Sequence, residues 1–222
     1  QSINDMQNRM LNFLENHDEQ RTASDFFAGN AEKGKPALLV SALMNSNPMM
    51  IYFGQELGEK GMDAEGFSGL DGRTTIFDYW TIDLIRRWRN GNKFDGALLS
   101  EEEKKLQKYY SKVLNICNSE KAIREGSFFD IMYVNRGEGM NEHRQYAFLR
   151  KLDKDLIVVV VNFADEPARS WVKIPAHAFD CLGMPSEEKE RECKDLLTGK
   201  TEKKMLVPDG TIYVELPANG GK

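Results

Sequence analysis

The chain has 222 residues, 41% of them hydrophobic and 29% charged, with a formal net charge of -5. That apolar share suffices to bury one good core or two smaller ones, which describes a globular and not a disordered protein. The acidic balance argues against a nucleic-acid partner, which needs concentrated Lys and Arg, and no apolar run approaches the roughly 20 residues of a membrane span.

Residues 1–10 carry Ile3, Met6 and Met10 at helical spacing, the end of an amphipathic helix. They show no initiator Met and no secretory pattern, so the start reads as the middle of something longer, and localisation, cytoplasmic or exported, stays open. "MLNFLE" then alternates as a short buried strand does. "GKPALLVSALMNSNP" follows as a helix of about three turns, with Pro36 near its first turn and an Asn-Ser-Asn-Pro stop. "PMMIYFGQELG" returns to strand period and closes on Gly54 and Gly58. Strand, helix, strand in this span is a βαβ unit with parallel strands.

A loop rich in Gly, Asp and Glu leads to about Thr81, followed by helices over "TIDLIRRW" and "SEEEKKLQKYYSKVLNICNSE". Ser100 and Glu103 form a capping-box signature for the second. From Gly126 the style changes. "FFDIMYVNR", "QYAFLRKL", "LIVVVVNF", "SWVKIP", "CKDLLTG", "KKMLVPDG" and "TIYVELPA" are strand candidates separated by turn residues. The expected organisation is therefore an α/β part over residues 1–125 and an all-β C-terminal domain over 126–222, built as an antiparallel two-sheet sandwich.

Cys117, Cys181 and Cys193 are odd in number and lack a C-x-x-C spacing, so they read as buried or partly buried thiols, with a Cys181–Cys193 bridge as the alternative in an exported chain. The ionisable residues of "ENHDEQR" are more informative. Glu15, His17, Asp18 and Glu19 stand where an apolar strand runs out, the place where barrel enzymes keep active-site groups. A metal on His17 needs further ligands, and the other histidines, His143 and His177, fall in the β-rich part, so no metal is assigned. A capped strand end with solvated charges is the plain alternative.

"FLENHDEQR" resembles the conserved segment at the end of barrel strand seven in the alpha-amylase family of glycoside hydrolases (family 13 type), through Phe13, Asn16, His17 and Asp18. "PMMIYFGQELG" resembles that family's strand-eight segment, with Gly54, Gln55 and Glu56 in its turn. The two lie about 30 residues apart with a helix between them, as one βαβ unit requires. "RTTIFDYW", the later helices and the β-module ending in "VELPANGG" follow the family's order, so the resemblance covers essentially the whole chain.

The resemblance implies the last two β/α units of a (β/α)8 barrel followed by a β-sandwich. It implies a retaining hydrolase of α-1,4-glucans, starch or maltodextrin, in which Asp18 is the acid that stabilises the transition state and His17 and Asn16 bind the same sugar. Phe13, Arg21, Gly54 and Glu56 are then structural residues near the site, with Arg21 pairing a neighbouring carboxylate to fix the loop. The family's nucleophile and general acid lie on earlier strands that have no sequence here, as does the loop domain that carries its calcium. Retaining glycosidases need two carboxyls about 5 Å apart, yet the resemblance gives neither Asp18 nor Glu56 the role of nucleophile or acid. The chain alone is thus expected to be inactive, with no cofactor of its own, and to survive by docking onto its β-module, by dimerising, or by attachment to the missing N-terminal part of the barrel. A transglycosidase or isomerase on the same scaffold, and a non-catalytic module that binds glucan or protein through Trp171 and Tyr213, are the other readings.

Overall fold

The computed structural model describes residues 6, 9–61, 70–77, 82–137 and 139–222. The helix expected over residues 1–10 and the end of "RTTIFDYW" fall largely outside them. Two compact units divide the chain: residues 1–41 with 47–114, and residues 42–46 with 115–222. The boundary read from the sequence, 125/126, lies inside the second unit.

The first unit begins with β1 (Asn12–Phe13), crosses through α1 (Lys35–Leu43), which ends in the second unit, and returns to β2 (Met49–Met50). The strands pair parallel, Asn12 opposite Met49 and Phe13 opposite Met50. They are shorter than their apolar runs suggest. Each has one strand neighbour among the described residues, and both chains leave the ladder at once, into the polar loop after Phe13 and the Gly54 turn. No barrel closes among the described residues.

α2 (Asp83–Arg89) and α3 (Glu101–Ser119) follow, α3 passing from the first unit into the second. The start of α3 carries the expected reciprocal cap: Glu103 N–H donates to Ser100 Oγ (3.2 Å) and Ser100 N–H to Glu103 Oε2 (2.7 Å). Arg87 of α2 grips both oxygens of Glu103 (2.7 and 2.6 Å) and reaches Asp83 Oδ2 (2.8 Å), which holds the Glu103 carboxyl below its usual range. Leu57, Ile82, Leu84 and Leu99 bury one apolar cluster here, and Leu38, Leu39, Leu106 and Val113 are buried as well.

The second unit contains α4 (Lys121–Arg124), α5 (Ala176–Leu182) and eight strands: β3 (Ser127–Asp130), β4 (Gln145–Leu152), β5 (Asp155–Asn162), β6 (Ala168–Lys173), β7 (Lys189–Lys194), β8 (Thr201–Leu206), β9 (Thr211–Leu216) and β10 (Gly220–Gly221). All pairings are antiparallel: a four-stranded sheet in the order β10-β5-β4-β3, and the pairs β6-β9 and β7-β8. Ala147, Leu149, Val160, Val172, Phe179, Val214 and Leu216 share its core.

One strand reading, "FFDIMYVNR", is shortened by a side-chain turn, and another, "CKDLLTG", is displaced, its strand lying mostly before it at Lys189–Lys194. Asp130 Oδ1 accepts from Met132 N (2.6 Å), ending β3 before "MYV", and Asp195 Oδ1 accepts from Leu197 N (2.9 Å), which turns "DLLTG" out of β7. The helix α5 stands between strands in a part expected to be all-β. Its signals are a Pro175 at the N-cap and Gly183 in the left-handed conformation at the C-cap. The three cysteines are free, Cys117 half-buried and Cys181 and Cys193 exposed, because the latter two sit on outward positions of α5 and β7. Among the described residues no helix is long and apolar enough to cross a membrane.

Candidate functional site

The polar cluster after β1 is a loop clamped at both ends. Glu15 and Arg21 are buried, 2% and 0% exposed, and pair at 2.9 Å from Arg21 Nη1 to Glu15 Oε2. The other Glu15 oxygen accepts from Thr22 N–H (2.9 Å). Arg21 spends its remaining donors on other segments: Nη2 on the Phe53 carbonyl (2.8 Å) and Nε on Thr74 Oγ1 (3.1 Å). Its guanidinium lies 4.4 Å from the Tyr52 ring centroid, a cation–π contact, and the Tyr52 hydroxyl donates to the Thr74 carbonyl (2.8 Å). One cation thus ties the ends of the loop to the turn after β2 and to the 71–74 segment.

Within the clamp, Asn16 Oδ1 accepts from the N–H groups of Asp18 and Glu19, both at 2.8 Å. This Asx-type turn lifts the next side chains off the protein. His17 and Asp18 are 53% and 73% exposed, with Nε2 and Oδ2 3.4 Å apart. The site therefore has a buried ionic base and an exposed His-Asp tip. Glu15 had no role assigned from the sequence, yet it is the partner that Arg21 requires. Its placement on the near side of Asn16, with Arg21 on the far side, was the available signal.

Close backbone approach completes the base. Arg21 N–H donates to the Gly72 carbonyl (2.8 Å), and Gln20 Nε2 to the Asp71 carbonyl (3.2 Å). Gly72 has φ +78°, and a Cβ there would lie 2.0 Å from Ser24 Oγ, so a side chain fits neither the conformation nor the space. Asp71 is chelated by Arg73 at 2.8 and 2.6 Å, which lowers its pKa.

Gly54, with φ +80°, opens the turn Gln55–Leu57, and its carbonyl accepts from Leu57 N–H (3.0 Å) and Glu59 N–H (3.0 Å). Phe13, placed near the site by the sequence, is 42% exposed. Glu56 and Glu59 follow in the Gly54 turn, and burial raises the pKa of both above the ordinary 4.5, against the Arg21 cation. A carboxyl with a raised folded pKa takes up a proton on folding. Its contribution to stability is full below the ordinary value and is lost as pH rises through the raised one. Glu59→Gln, which keeps an acceptor for Gly61 N–H (3.0 Å), is expected to stabilise the first unit relative to wild type at neutral pH and not at acid pH. Urea midpoints of both proteins at the two pH values check this; a gain that is the same at both removes the linkage.

Among the described residues no three His, Cys, Asp or Glu side chains gather as a metal site. No family model matches the chain, and no curated protein matches it. Solved structures do. AmyP in complex with maltose superposes with a TM-score of 0.61 at 21% identity, over 96% of this chain and 39% of that one. AmyB from Thermotoga neapolitana, a maltogenic alpha-amylase, gives 0.60 at 14% identity over 96% and 40%. The alpha-amylase from Geobacillus thermoleovorans, complexed with acarbose, gives 0.59 at 16% over 96% and 38%. These neighbours are alpha-amylase-family enzymes, and the likeness at such identities is one of fold. The chain spans about two fifths of the length of each of these three.

Proposed function

We propose that this chain is the C-terminal portion of an α-amylase-like retaining glycoside hydrolase acting on α-1,4-glucans, comprising the last two β/α units of its barrel and a β-sandwich domain. The observation that carries the reading is the exposed His17-Asp18 tip at the end of a parallel strand, held from below by the buried Glu15–Arg21 pair. The fold likeness to AmyP, whose structure holds maltose, supports it.

In this reading the nucleophile and general acid come from barrel strands outside this sequence. Asp18 accepts hydrogen bonds from hydroxyls of the sugar at the cleavage point. They shorten as the ring flattens toward the oxocarbenium ion, so the stabilisation is larger in the transition state than in the ground state. His17 donates to the same sugar. Asn16 shapes the turn with its oxygen and keeps its amide nitrogen for a hydroxyl. Any structural calcium belongs to the part of the enzyme outside this chain.

The test has two arms. The 222-residue chain alone is expected to release no reducing ends from soluble starch. Joined to the preceding strands of an amylase barrel it is expected to hydrolyse starch, with Asp18→Asn lowering kcat by about 10²–10³-fold. Hydrolysis by the isolated chain, or full activity of the joined Asp18→Asn enzyme, would overturn the proposal.

A further inference from the structure

The second unit has a cleft of its own, of about 610 Å³, lined by Asn141, Arg144, Gln145, Glu166, Arg169 and Trp171 among others. That volume lies in the range of small-ligand sites. Trp171 on β6 is 51% exposed and stands beside its cross-strand neighbour Tyr213, ring centroids 5.2 Å apart. Its backbone N–H is tied to the Gly139 carbonyl at 2.9 Å. A Cβ on Gly139 would come within 2.6 Å of the Trp171 carbonyl, so the loop and the strand meet at closest backbone approach and hold the Trp171 backbone at the cleft.

The floor of the cleft supplies the second observation. Gln145 is 7% exposed. Its Oε1 accepts from Asn141 N–H (2.9 Å) and from the Ser170 hydroxyl (3.0 Å), and because a backbone N–H can only donate, this fixes which way the amide points. Gln145 lines the cleft, and its hydrogen bonds engage the oxygen and leave Nε2 without an acceptor among the described residues. With its oxygen committed to the protein, the side chain has its amide nitrogen as the donor left for a ligand oxygen.

We propose that this cleft is a carbohydrate-binding site, in which the Trp171 indole stacks on the apolar face of a pyranose and Gln145 Nε2 donates to one of its hydroxyls. The rim favours a neutral polyol over an ion. Arg144 and Arg169 are matched in number by Glu142 and Glu166, so the rim carries donors and acceptors without net charge. An indole face beside hydrogen-bonding groups of both kinds matches a sugar, which has an apolar C–H face and hydroxyls around its edge. The choice of an α-glucan among pyranose chains rests on the function proposed above; the site itself does not.

Isothermal titration of the full chain with maltoheptaose and with cellohexaose tests it. Maltoheptaose is expected to bind. Trp171→Ala, and Gln145→Glu, which keeps the acceptor and removes the donor, are each expected to weaken binding about tenfold. Glu102→Gln, at an exposed position of α3 that has no part in either site, is expected to leave it unchanged. No binding of either sugar, or equal binding by wild type and both cleft variants, overturns the proposal. Binding of cellohexaose alone, weakened by Trp171→Ala, supports the sugar site and counts against the α-glucan reading. Binding lost on Asp18→Asn but kept in the cleft variants does the reverse.

Discussion

Arg21→Met is expected to destabilise the first unit by roughly 3–5 kcal/mol, because it leaves the Glu15 carboxylate buried with its cation gone. The pair is 2% and 0% exposed, so water does not replace the lost partner. The Phe53 carbonyl and the Thr74 hydroxyl lose their donor in the same step, and the Tyr52 ring loses the guanidinium above it. Urea unfolding in a Trp171→Phe background, where the remaining indoles lie in the first unit, measures the loss. A double variant, Glu15→Leu with Arg21→Met, is expected to recover part of it, since no charge is then stranded. A single-variant loss under about 1 kcal/mol would show the pair to be no better than a surface bridge. The loop it clamps should also open: the amides of Asp18 and Glu19, capped by Asn16, are expected to lose hydrogen-exchange protection before the rest of the unit.

Arg150 is the counterpart in the second unit. It is 2% exposed on β4, and no carboxylate faces it among the described residues; burial alone lowers its pKa. Its donors go to the carbonyls of Ala122 (3.2 Å), Ile123 (2.5 Å) and Met44 (2.9 Å) and to Ser46 Oγ (3.2 Å). Two of these carbonyls belong to α4, near whose end a cation is favoured. Arg150→Met strips several buried acceptors at once and is expected to cost about 3 kcal/mol or more. That lowers the unit's Tm by roughly 10 °C or more. Arg150→Lys should recover little, because one ammonium cannot reach the acceptors of a planar fork. Thermal unfolding followed by Trp171 fluorescence reads it, and an unchanged Tm for Arg150→Met would remove Arg150 as the clamp of the 42–46 segment.

Local patterns were legible wherever the physics is local. The α3 cap needs Ser100 and Glu103 three residues apart and nothing else. The β4–β5 hairpin needs two apolar runs around a two-residue turn in which Asp153 takes φ +48°. The lengths of β1 and β2 were not legible, because an apolar run states that a segment is buried and not how far its neighbour follows it. Neither was the end of β3 or β7, where a single aspartate oxygen captures a backbone N–H that the ladder would otherwise use.

By itself the sequence determined the strand-helix-strand order of residues 10–58, the change of style near Gly126 and the strand-end cluster Asn16, His17 and Asp18, because each is written in neighbouring residues. Only the tertiary structure decided what holds that cluster and where the units divide. Glu15 and Arg21 look like two more solvated charges until Thr74 and the Phe53 carbonyl arrive from distant segments to complete their hydrogen bonds. Arg150 looks like a solvent-facing residue of its strand until the carbonyls of Met44 and Ile123 surround it, which draws residues 42–46 into the second unit. A charged side chain is stable in a protein interior only when its partners are assembled around it, and those partners are fixed by the fold, not by the neighbouring letters.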